Sequence, residues 1–450
     1  MNDDRAADAL ALAEAALAHA LREGVTEAEA LVMAEDSALT RFANSEIHQN
    51  VAETNVTINL RVVVGKRIGV ASSGRTDEEG LRRLAEHAAA IARVVEELDD
   101  WGGLPGPTEV RGVPAAYSRA TAEATPEFRA EAVRTVIGAA DDARVTAYGS
   151  FATGTESTAV ANSKGARAAG TRTTSQFITV SMGPGGGTGY AEAAAVDAST
   201  IDAAAIGREA AGKARATTDA VSIEPGDYPV VLEEYAVVDL LDMLGYLGFS
   251  ALAVQEERSF FEPGRRIGSD LVTIVDDGYD AAGLPLWFDY EGVAKQRVLL
   301  VERGVCRGIV YDAQTAARAG VASTGHGLPA PNPWGPFPLN MIMDAGVSSR
   351  EELIGGLDRG LLVTRFHYTN PVHPKLAIVT GMTRDGTFLV EDGELVGPVK
   401  NLRYTQSYLD ALAGIVAVAR ERKTLKGFLG GVVVPAVRID GWTFTGGTEH

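Results

Sequence analysis

Apolar and polar positions alternate along much of this chain, and helical spacing is confined to a few segments. Residues from about 4 to 22 are rich in Ala and Leu at helical spacing, which predicts an N-terminal helix. Residues 29–40 and 55–64 alternate instead, as half-buried strands do. A turn at Gly65 then leads into residues 67–71, and this spacing predicts a β-hairpin. The pattern therefore predicts a first module that combines helix and sheet.

A linker and a second module follow. Thr76 and Glu79 have the spacing of a capping box at the start of the helix that completes the first module. Residues 101–114 are rich in Gly and Pro, which predicts a linker. Thr125 can cap the next helix, with Pro126 at its first position. The other elements predicted for this second module are three strands and a helix, at residues 145–151, 156–162, 176–181 and 201–216.

The C-terminal half begins at the strongest boundary signal, residues 224–227 (Glu-Pro-Gly-Asp). Helical patterns at 233–247 and 407–421 flank segments that predict strands and loops. The proline-rich run 327–338 cannot form regular structure, because Pro lacks the amide proton that helices and ladders use. The sequence predicts an α+β fold, with two small sheet-plus-helix modules and then a largely antiparallel β-domain. The predicted domains are residues 1–105, 115–224 and 226–450.

Two Asp-Gly pairs lie close together in the C-terminal half. Asp385-Gly386 and Asp392-Gly393 can supply the positive φ angles of tight turns, so residues 379–403 are predicted to form a β-meander. The segment Val301–Val310 matches Val390–Val399 at Val, Glu, Gly, Gly and Val. This repeat predicts a second copy of the hairpin and suggests an internal duplication.

Composition narrows the class of protein. The 450 residues are 46% hydrophobic and carry a net charge of -19, as in a soluble globular protein with a substantial core. Phosphate recognition needs clustered Lys and Arg, which the sequence lacks, so we expect no nucleic-acid partner. No apolar run approaches the length of a membrane span. The single cysteine, Cys306, excludes an internal disulfide, and a reducing cytoplasm is the expected location.

Several blocks in the same order along the chain resemble the TldD/PmbA family, which is named for gyrase modulators and linked to intracellular peptide processing. The blocks are residues 41–50 (RFANSEIHQN), 65–69 (GKRIG), 161–165 (ANSKG), 187–190 (GTGY), 288–293 (FDYEGV), 300–304 (LVERG) and 379–403. Each block is short, but together they run from about residue 40 to the final predicted helix. The resemblance implies a two-part α+β protein that acts in a heterodimer.

In this family one subunit, TldD-like, carries a His-Glu-x-x-x-His helix that binds a zinc-type ion, with a further cysteine ligand near the C-terminus. The matching positions here are Glu234, Tyr235 and Asp239, so acids replace both histidines and a phenol replaces the general base. The region 424–434 also lacks a cysteine. The resemblance therefore implies the non-metal, TldE/PmbA-like subunit. Its expected partners are a TldD-like homologue that holds the zinc and an unfolded peptide substrate, with no cofactor in this chain.

Two other functions stay open. His367 and His373 form a close pair that could bind a metal with His326 or Asp289, which would make the chain an independent metallohydrolase. The alternative for these four residues is a substrate contact or a loop shaped by proline. A homodimeric peptide-binding or regulatory protein is the third hypothesis. A cation site at Asp276, Asp277, Asp289 and Glu291 is a further candidate, although Asp at turns usually bonds its own backbone.

Four more side chains are candidates for a peptide path. Arg41 and Asn44 lie in the N-terminal block of the resemblance, and Trp334 and Phe337 lie in the proline-rich run. They could contact an extended peptide, whereas turn formation or local packing explains them equally well. Cys306 has no base implied by the sequence, and the glycine-rich run 183–189 lacks the Gly-Lys-Ser/Thr ending of a phosphate loop. We therefore predict a structural thiol and a flexible loop.

Overall fold

The structure, a computed structural model, describes residues 2–428 and 430–447. The helices in these residues are α1 (Asn2–Arg22), α2 (Glu78–Val94), α3 (Arg119–Ala122), α4 (Pro126–Asp142), α5 (Ala203–Ala216), α6 (Glu234–Gly248), α7 (Ala251–Gln255), α8 (Ala313–Ala319), α9 (Arg350–Gly355) and α10 (Tyr408–Ala413).

The strands form two sheets. Those of the N-terminal half are β1 (Glu27–Ala43), β2 (Glu46–Val64), β3 (Arg67–Ser73), β4 (Thr146–Asn162), β5 (Arg167–Met182) and β6 (Thr188–Ala195). Those of the C-terminal half are β7 (Gly226–Leu232), β8 (Ile274–Asp276), β9 (Val298–Glu302), β10 (Val305–Cys306), β11 (Met341–Met343), β12 (Arg359–His373), β13 (Ile378–Glu391), β14 (Glu394–Pro398), β15 (Leu402–Ser407), β16 (Ile415–Lys426) and β17 (Gly431–Gly447).

The N-terminal half contains a six-stranded antiparallel sheet in the order β3-β2-β1-β4-β5-β6. Strand β1 pairs with β4 from Glu29 opposite Asn162 to Phe42 opposite Gly149, so the strands of the two predicted modules belong to one sheet. The combination of sheets with separately packed helices confirms the predicted α+β class.

The helices of this half cover one face of the long sheet. Ala159 and Ala161 of β4 pack with α1 and α2, whereas Ala147 and Phe151 pack with α4 and α5. All four are odd positions of one strand, so they share a face, because side chains alternate along a strand. The opposite face is therefore left for contact with the C-terminal half.

The C-terminal sheet has eleven strands within the described residues and is mostly antiparallel, with β11–β17 and β7–β12 as parallel pairs. Helix α6 packs on β12 and β17 and contributes a nearly continuous row of buried apolar residues to the largest core. An aromatic cluster of Phe366, Tyr404, Tyr408 and Trp442 lies beside this helix, with Phe366 stacked on Trp442 at 4.8 Å. The core therefore fixes α6 on one side.

Some local predictions are confirmed and others are wrong. Thr125 caps α4 through a bond from the Phe128 amide, as predicted. Asp77, rather than Thr76, caps α2. The predicted strands at 145–151 and 156–162 are one strand, β4. The predicted helix 407–421 stops at Ala413, because the following residues pair with β17 as β16.

Both hairpins of the repeat form, but one predicted turn does not. Val305 pairs with Glu302, and Glu394 pairs with Glu391, in equivalent registers. Asp385-Gly386 instead lies inside β13, where the register with β12 shifts. Asp385 has φ 55° and Gly386 has φ 138°, so this Asp-Gly pair makes a β-bulge.

Candidate functional site

Helix α6 carries the three positions that the resemblance singles out. It follows directly after β7, whose last three residues are buried, and Glu233 occupies its N-cap position. The predicted helix at 233–247 is thus confirmed. Glu234, Tyr235 and Asp239 lie in its first turns, where the helix meets both the N-terminal sheet and the aromatic cluster.

The hydroxyl of Tyr235 is bonded to the edge of the N-terminal sheet. It accepts from the Glu192 amide at 3.3 Å and lies 3.4 Å from the Glu192 carbonyl oxygen, on β6. The same hydroxyl donates to Glu209 Oε1 at 3.0 Å and accepts from Lys423 Nζ at 2.8 Å. Tyr235 therefore joins α6 to β6, α5 and β16 in one polar network.

Two lysines surround Tyr235 and set the charge of this network. Lys423 Nζ and Lys213 Nζ lie 4.4 and 5.1 Å from the centre of the phenol ring. Burial alone would raise the pKa of Glu209, but the two lysines overcome it and lower that pKa to about 2. Burial lowers the pKa of Lys213 to about 8 despite Glu209. The network thus holds the ionised Glu209 carboxylate beside a phenol whose hydroxyl already makes hydrogen bonds within the chain.

The glutamates at the start of α6 differ in their contacts. Glu233 is 1% exposed and binds Lys213 Nζ at 2.5 Å and the Arg350 guanidinium. Glu234 is also buried, and its Oε2 atom has no hydrogen-bond partner within the described residues. Glu233 therefore stabilises the contact between α5 and the C-terminal half, while Glu234 is left without a complete set of donors.

Asp239 lies one turn further along α6 than Tyr235 and contacts a different set of residues. Its carboxylate accepts from Thr369 Oγ1 at 2.7 Å and from the Tyr408 hydroxyl at 2.9 Å, and Tyr404 contacts Tyr408 at 2.9 Å. Burial raises the pKa of Asp239 to about 6, although both hydrogen bonds act against that shift. Neighbouring Asp242, which accepts from the Phe428 amide at 2.7 Å, has its pKa raised by burial to about 7.

These side chains do not fit a catalytic zinc ion. Such a site needs imidazole, thiolate or ionised carboxylate ligands around an open position for water, with a base nearby. Here the Tyr235 hydroxyl and the Asp239 carboxylate bond to separate groups within the chain. Among residues 2–428 and 430–447, no group of three or more His, Cys, Asp or Glu side chains could hold a metal ion. We derive no metal chemistry at this helix.

Replacing Asp239 with asparagine should weaken the pH dependence of stability. The carboxyl pKa is raised from 3.8 to about 6 in the folded state, so the folded state binds more protons between these values. The contribution of the Asp239 carboxyl to the free energy of unfolding is present at acid pH. It declines as the pH rises through 6, by roughly 3 kcal/mol at most. In urea unfolding, the free energy of unfolding of the variant should therefore rise relative to that of the native protein between pH 4.5 and 8.

The matched control for this measurement is Asp270→Asn, because the Asp270 carboxylate is 61% exposed in an ion pair with Arg266. That substitution should leave the slope of stability against pH unchanged. An Asp239→Asn protein with the native slope would show that this carboxyl is ionised in the folded state across the range.

The four histidine and aspartate candidates occupy separate places. His326 is fully buried, with Nε2 2.8 Å from Asp276 Oδ1 and Nδ1 2.9 Å from Thr324 Oγ1. Lys295 Nζ lies 3.1 Å from the same Asp276 oxygen. Burial and the Lys295 cation lower the pKa of His326. Burial would raise the pKa of Asp276, but Lys295 and His326 overcome that effect and hold this pKa well below its usual range. His326 therefore belongs to a buried ionic cluster with Asp276 and Lys295.

Asp289 is also a structural group. Its carboxylate accepts three backbone amides, from Gly327 at 2.7 Å, Val293 at 2.9 Å and Glu291 at 3.0 Å. Burial raises its pKa well above the usual range, and Glu291 adds to that shift. Asp289 of the predicted cation site is thus part of a turn that closes on its own backbone, whereas the Glu291 carboxylate binds Arg61 and the Ala313 amide.

His367 and His373 lie on β12, and both are exposed. They pair with Met382 and Ile378 of β13, and neither shares a hydrogen-bond partner with His326. The structure therefore does not gather the histidines into the ligand set that an independent metallohydrolase requires. Cys306 is fully buried in β10, and burial raises the pKa of its thiol, in agreement with the predicted structural role.

The peptide-path candidates form two distant pairs. Asn44, at φ 52°, accepts from the Tyr148 hydroxyl at 2.8 Å in the turn after β1, close to exposed Arg41. Trp334 is 53% exposed, whereas Phe337 is buried and stacks on Tyr246 at 5.8 Å.

The distance between these two pairs of side chains can be read along strands β1 and β2 of the N-terminal sheet. Asn59, which pairs with Leu31, contacts the proline-rich run at the Ala330 carbonyl. Arg41 is ten residues further along β1, which corresponds to roughly 33 Å. The two pairs therefore do not line one short path.

The sequence did not reveal several residues of the Tyr235 network. Glu209 and Lys213 have the i, i+4 spacing of a helical ion pair, which was a usable signal within the predicted helix 201–216. Lys423 lay just beyond a predicted helix, and nothing local pointed to its contact with Tyr235. A cavity of about 520 Å³ opens beside this network, and its walls include Glu192, Glu209, Lys423 and the small residues Ala193, Ala194, Ala195, Ala281, Ala282 and Gly283.

The chain is similar in sequence to several known proteins. Family models described as PmbA/TldA metallopeptidase domain 1, central domain and C-terminal domain match residues 28–92, 119–217 and 225–446. A metalloprotease TldD homolog of Haemophilus influenzae is 28% identical over 431 residues, 87% of each chain. Metalloprotease PmbA of Escherichia coli O157:H7 is 28% identical over 182 residues, 40% of this chain and 38% of that protein.

A solved structure has the same fold. The crystal structure of TldE from Thermococcus kodakarensis superposes with a TM-score of 0.88 at 22% identity, over 96% of this chain and 99% of that one. None of the helices in the described residues is both long and apolar enough to cross a bilayer.

Proposed function

The chain belongs to the TldD/PmbA family of metallopeptidases, and from this premise we propose that it is the non-catalytic, TldE-like subunit of a cytoplasmic TldD/TldE-type complex that processes unfolded peptides. A TldD-like partner with a His-Glu-x-x-x-His helix would supply the zinc, the activated water and the base. This chain would help to enclose the site and hold the peptide.

The observation that carries this proposal is the chemistry at the start of α6. The resemblance assigns the position of the family's base to Tyr235, whose phenol is bonded to Lys423 and Glu209. It assigns the position of the second histidine to Asp239, a carboxyl with a raised pKa that is bonded to Thr369 and Tyr408. Hydrogen bonds made within the chain thus occupy Tyr235 and Asp239, two of the three groups at the motif positions.

The cavity beside Tyr235 supports a role in holding peptide. It lies against the outer side of β6, the edge strand of the N-terminal sheet, and alanine side chains leave room for an extended backbone. Backbone bonds to a strand edge give affinity that tolerates many sequences, which suits unfolded substrates.

We expect the isolated chain to lack stoichiometric zinc and to leave an unstructured peptide intact. Co-expression with a homologue that carries the His-Glu-x-x-x-His helix should yield a complex with one metal site, and cleavage should appear in that complex only. Metal analysis by mass spectrometry and chromatographic analysis of the peptide measure the two quantities.

A partner variant with glutamine in place of the motif glutamate is the control. It should still bind this chain but abolish cleavage, which assigns the chemistry to the partner. Stoichiometric zinc in the isolated chain, lost on His367→Ala, would instead establish the independent metallohydrolase and reject the proposal.

A further inference from the structure

The backbone of strand β6 faces in two directions that can be assigned residue by residue. In the turn before β6 the Gly183 amide donates to the Gly187 carbonyl at 2.7 Å. Because hydrogen-bonded and open pairs alternate in an antiparallel ladder, the even-numbered residues from 188 to 194 direct their amide and carbonyl groups away from β5. These groups therefore face the outer edge of the N-terminal sheet.

Side chains of the fold bond to this outer edge at Thr188 and Glu192. The Thr188 amide donates to Thr217 Oγ1 at 2.8 Å, and the same oxygen lies 2.7 Å from the Thr188 carbonyl oxygen. The Glu192 amide donates to the Tyr235 hydroxyl at 3.3 Å. At these two positions a side chain thus takes the place of a neighbouring strand.

Ala194 has no such substitute. It is only 6% exposed, and within residues 2–428 and 430–447 its amide and carbonyl groups have no hydrogen-bond partner. Orphaned backbone groups are rare at buried positions. Ala194 and its two alanine neighbours line the cavity of about 520 Å³ beside the Tyr235 network. The edge therefore offers one donor and one acceptor to a molecule in that cavity.

The walls of the cavity carry an excess of acid. Its charged lining residues are Glu192, Asp197, Asp202, Glu209 and Lys423. Lys423 is balanced by Glu209, whose Oε2 atom lies 3.1 Å from Nζ. The other three acids accept hydrogen bonds from neutral groups and have no ion-pair partner in the part of the chain that the structure describes. A positively charged group is therefore complementary to this cavity.

We propose that the cavity holds a short extended segment of a peptide in which one residue pairs with Ala194 and a residue next to it is Lys or Arg. The inference rests on the proposed function, because it defines the class of peptide that this chain would hold. The paired residue donates its amide to the Ala194 carbonyl and accepts from the Ala194 amide.

The alternation of side chains explains where the basic group lies. The residue opposite Ala194 directs its side chain to the face of Ala194, and its two neighbours direct theirs to the opposite face. Helix α5 packs on that opposite face, where Ala191 and Ala193 belong to its core, and Asp202 caps the first turn of the helix. A Lys or Arg next to the paired residue therefore lies on the side of Asp202.

The length of the pairing is limited in both directions. The Tyr235 hydroxyl already occupies the Glu192 amide, two residues before Ala194. Two residues after Ala194, the Val196 carbonyl accepts from Thr121 Oγ1 at 2.7 Å. The backbone of one peptide residue can bond between these points, so charge rather than a long ladder distinguishes one peptide from another.

The test measures peptide binding to the full chain alone, by fluorescence anisotropy. The probe is a fluorescein-labelled peptide, Gly-Ser-Lys-Ala-Lys-Ser-Gly, and it should bind about tenfold more tightly than the same peptide with Gln in place of both Lys. N-methylation of the central alanine removes the amide proton and should weaken binding by about tenfold. The same methyl group on the first serine is the control and should have little effect.

A variant of the chain locates the basic group. Asp202→Asn should lower the preference for the Lys peptide over the Gln peptide by about threefold, and α5 should stay capped because Asn caps a helix as well as Asp does. Asp270→Asn, on a carboxylate that is 61% exposed away from this cavity, should leave the preference unchanged. Equal binding of the two peptides, full binding of the peptide methylated at alanine, or an unchanged preference in Asp202→Asn would each overturn the inference.

Failure of this inference and failure of the proposed function give different results. If the complex with a metal-bearing homologue cleaves peptides but the lone chain does not prefer Lys, the cavity has another role and the proposed function stands. If the lone chain shows the Asp202-dependent preference but no such complex cleaves peptide, the site stands and the peptidase role is rejected.

Discussion

Replacing Lys295 with methionine should lower the free energy of unfolding by about 3–5 kcal/mol. Lys295 and Asp276 are both fully buried, with Nζ 3.1 Å from Oδ1. The substitution keeps most of the side-chain volume but removes the cation, which leaves the Asp276 carboxylate facing only His326 and the Asn340 amide. The loss arises from an uncompensated buried charge rather than from a cavity.

Urea unfolding followed by circular dichroism measures this loss. Lys375→Met is the matched control, because Lys375 is exposed beside β12 and should change stability by no more than about 0.5 kcal/mol. A Lys295→Met protein as stable as the native one would show that His326 takes up a proton and replaces the missing charge.

Replacing Arg61 with methionine should cost a similar amount, about 3–5 kcal/mol at pH 8. Its Nη2 atom lies 2.7 Å from Glu29 Oε1 and 3.0 Å from Glu291 Oε1, and all three side chains are nearly buried. Arg61 and Glu29 belong to the N-terminal sheet and Glu291 to the C-terminal half. The guanidinium therefore joins two parts of the fold, and its loss leaves two carboxylates facing each other.

The cost of this substitution should shrink at acid pH. Burial raises the pKa of Glu29 from 4.5 to about 7, against the effect of Arg61, so the folded native protein already binds a proton there as the pH falls below 7. Without Arg61 that pKa rises further, and protonation relieves the repulsion at pH 5.5. Urea unfolding at both pH values tests this difference, with exposed Arg82→Met as the control. An equal cost at both pH values would mean that Glu29 does not take up the proton.

The candidate site depends on contacts that are distant in sequence. Tyr235 meets Glu209 across 26 positions and Lys423 across 188, and Asp239 meets Tyr408 across 169. The sequence identified the helix and the absence of histidine on it, because both are local. It could not say which groups bond to the replacing side chains, because that depends on which strands and helices pack around α6.

By itself the sequence determined the elements whose signals are local. The capped start of α4, the span of α6, the hairpin at Asp392-Gly393 and the α+β class all follow from caps, turn residues and periodicity over a few positions. Only the tertiary structure decided the rest. Pairing with β12 before and after it, at Arg384 and Thr387, kept Asp385-Gly386 inside a strand, and pairing with β17 ended the last predicted helix. The physical reason is that ladder bonds and burial from distant segments outweigh the small local preferences of a turn or a helix.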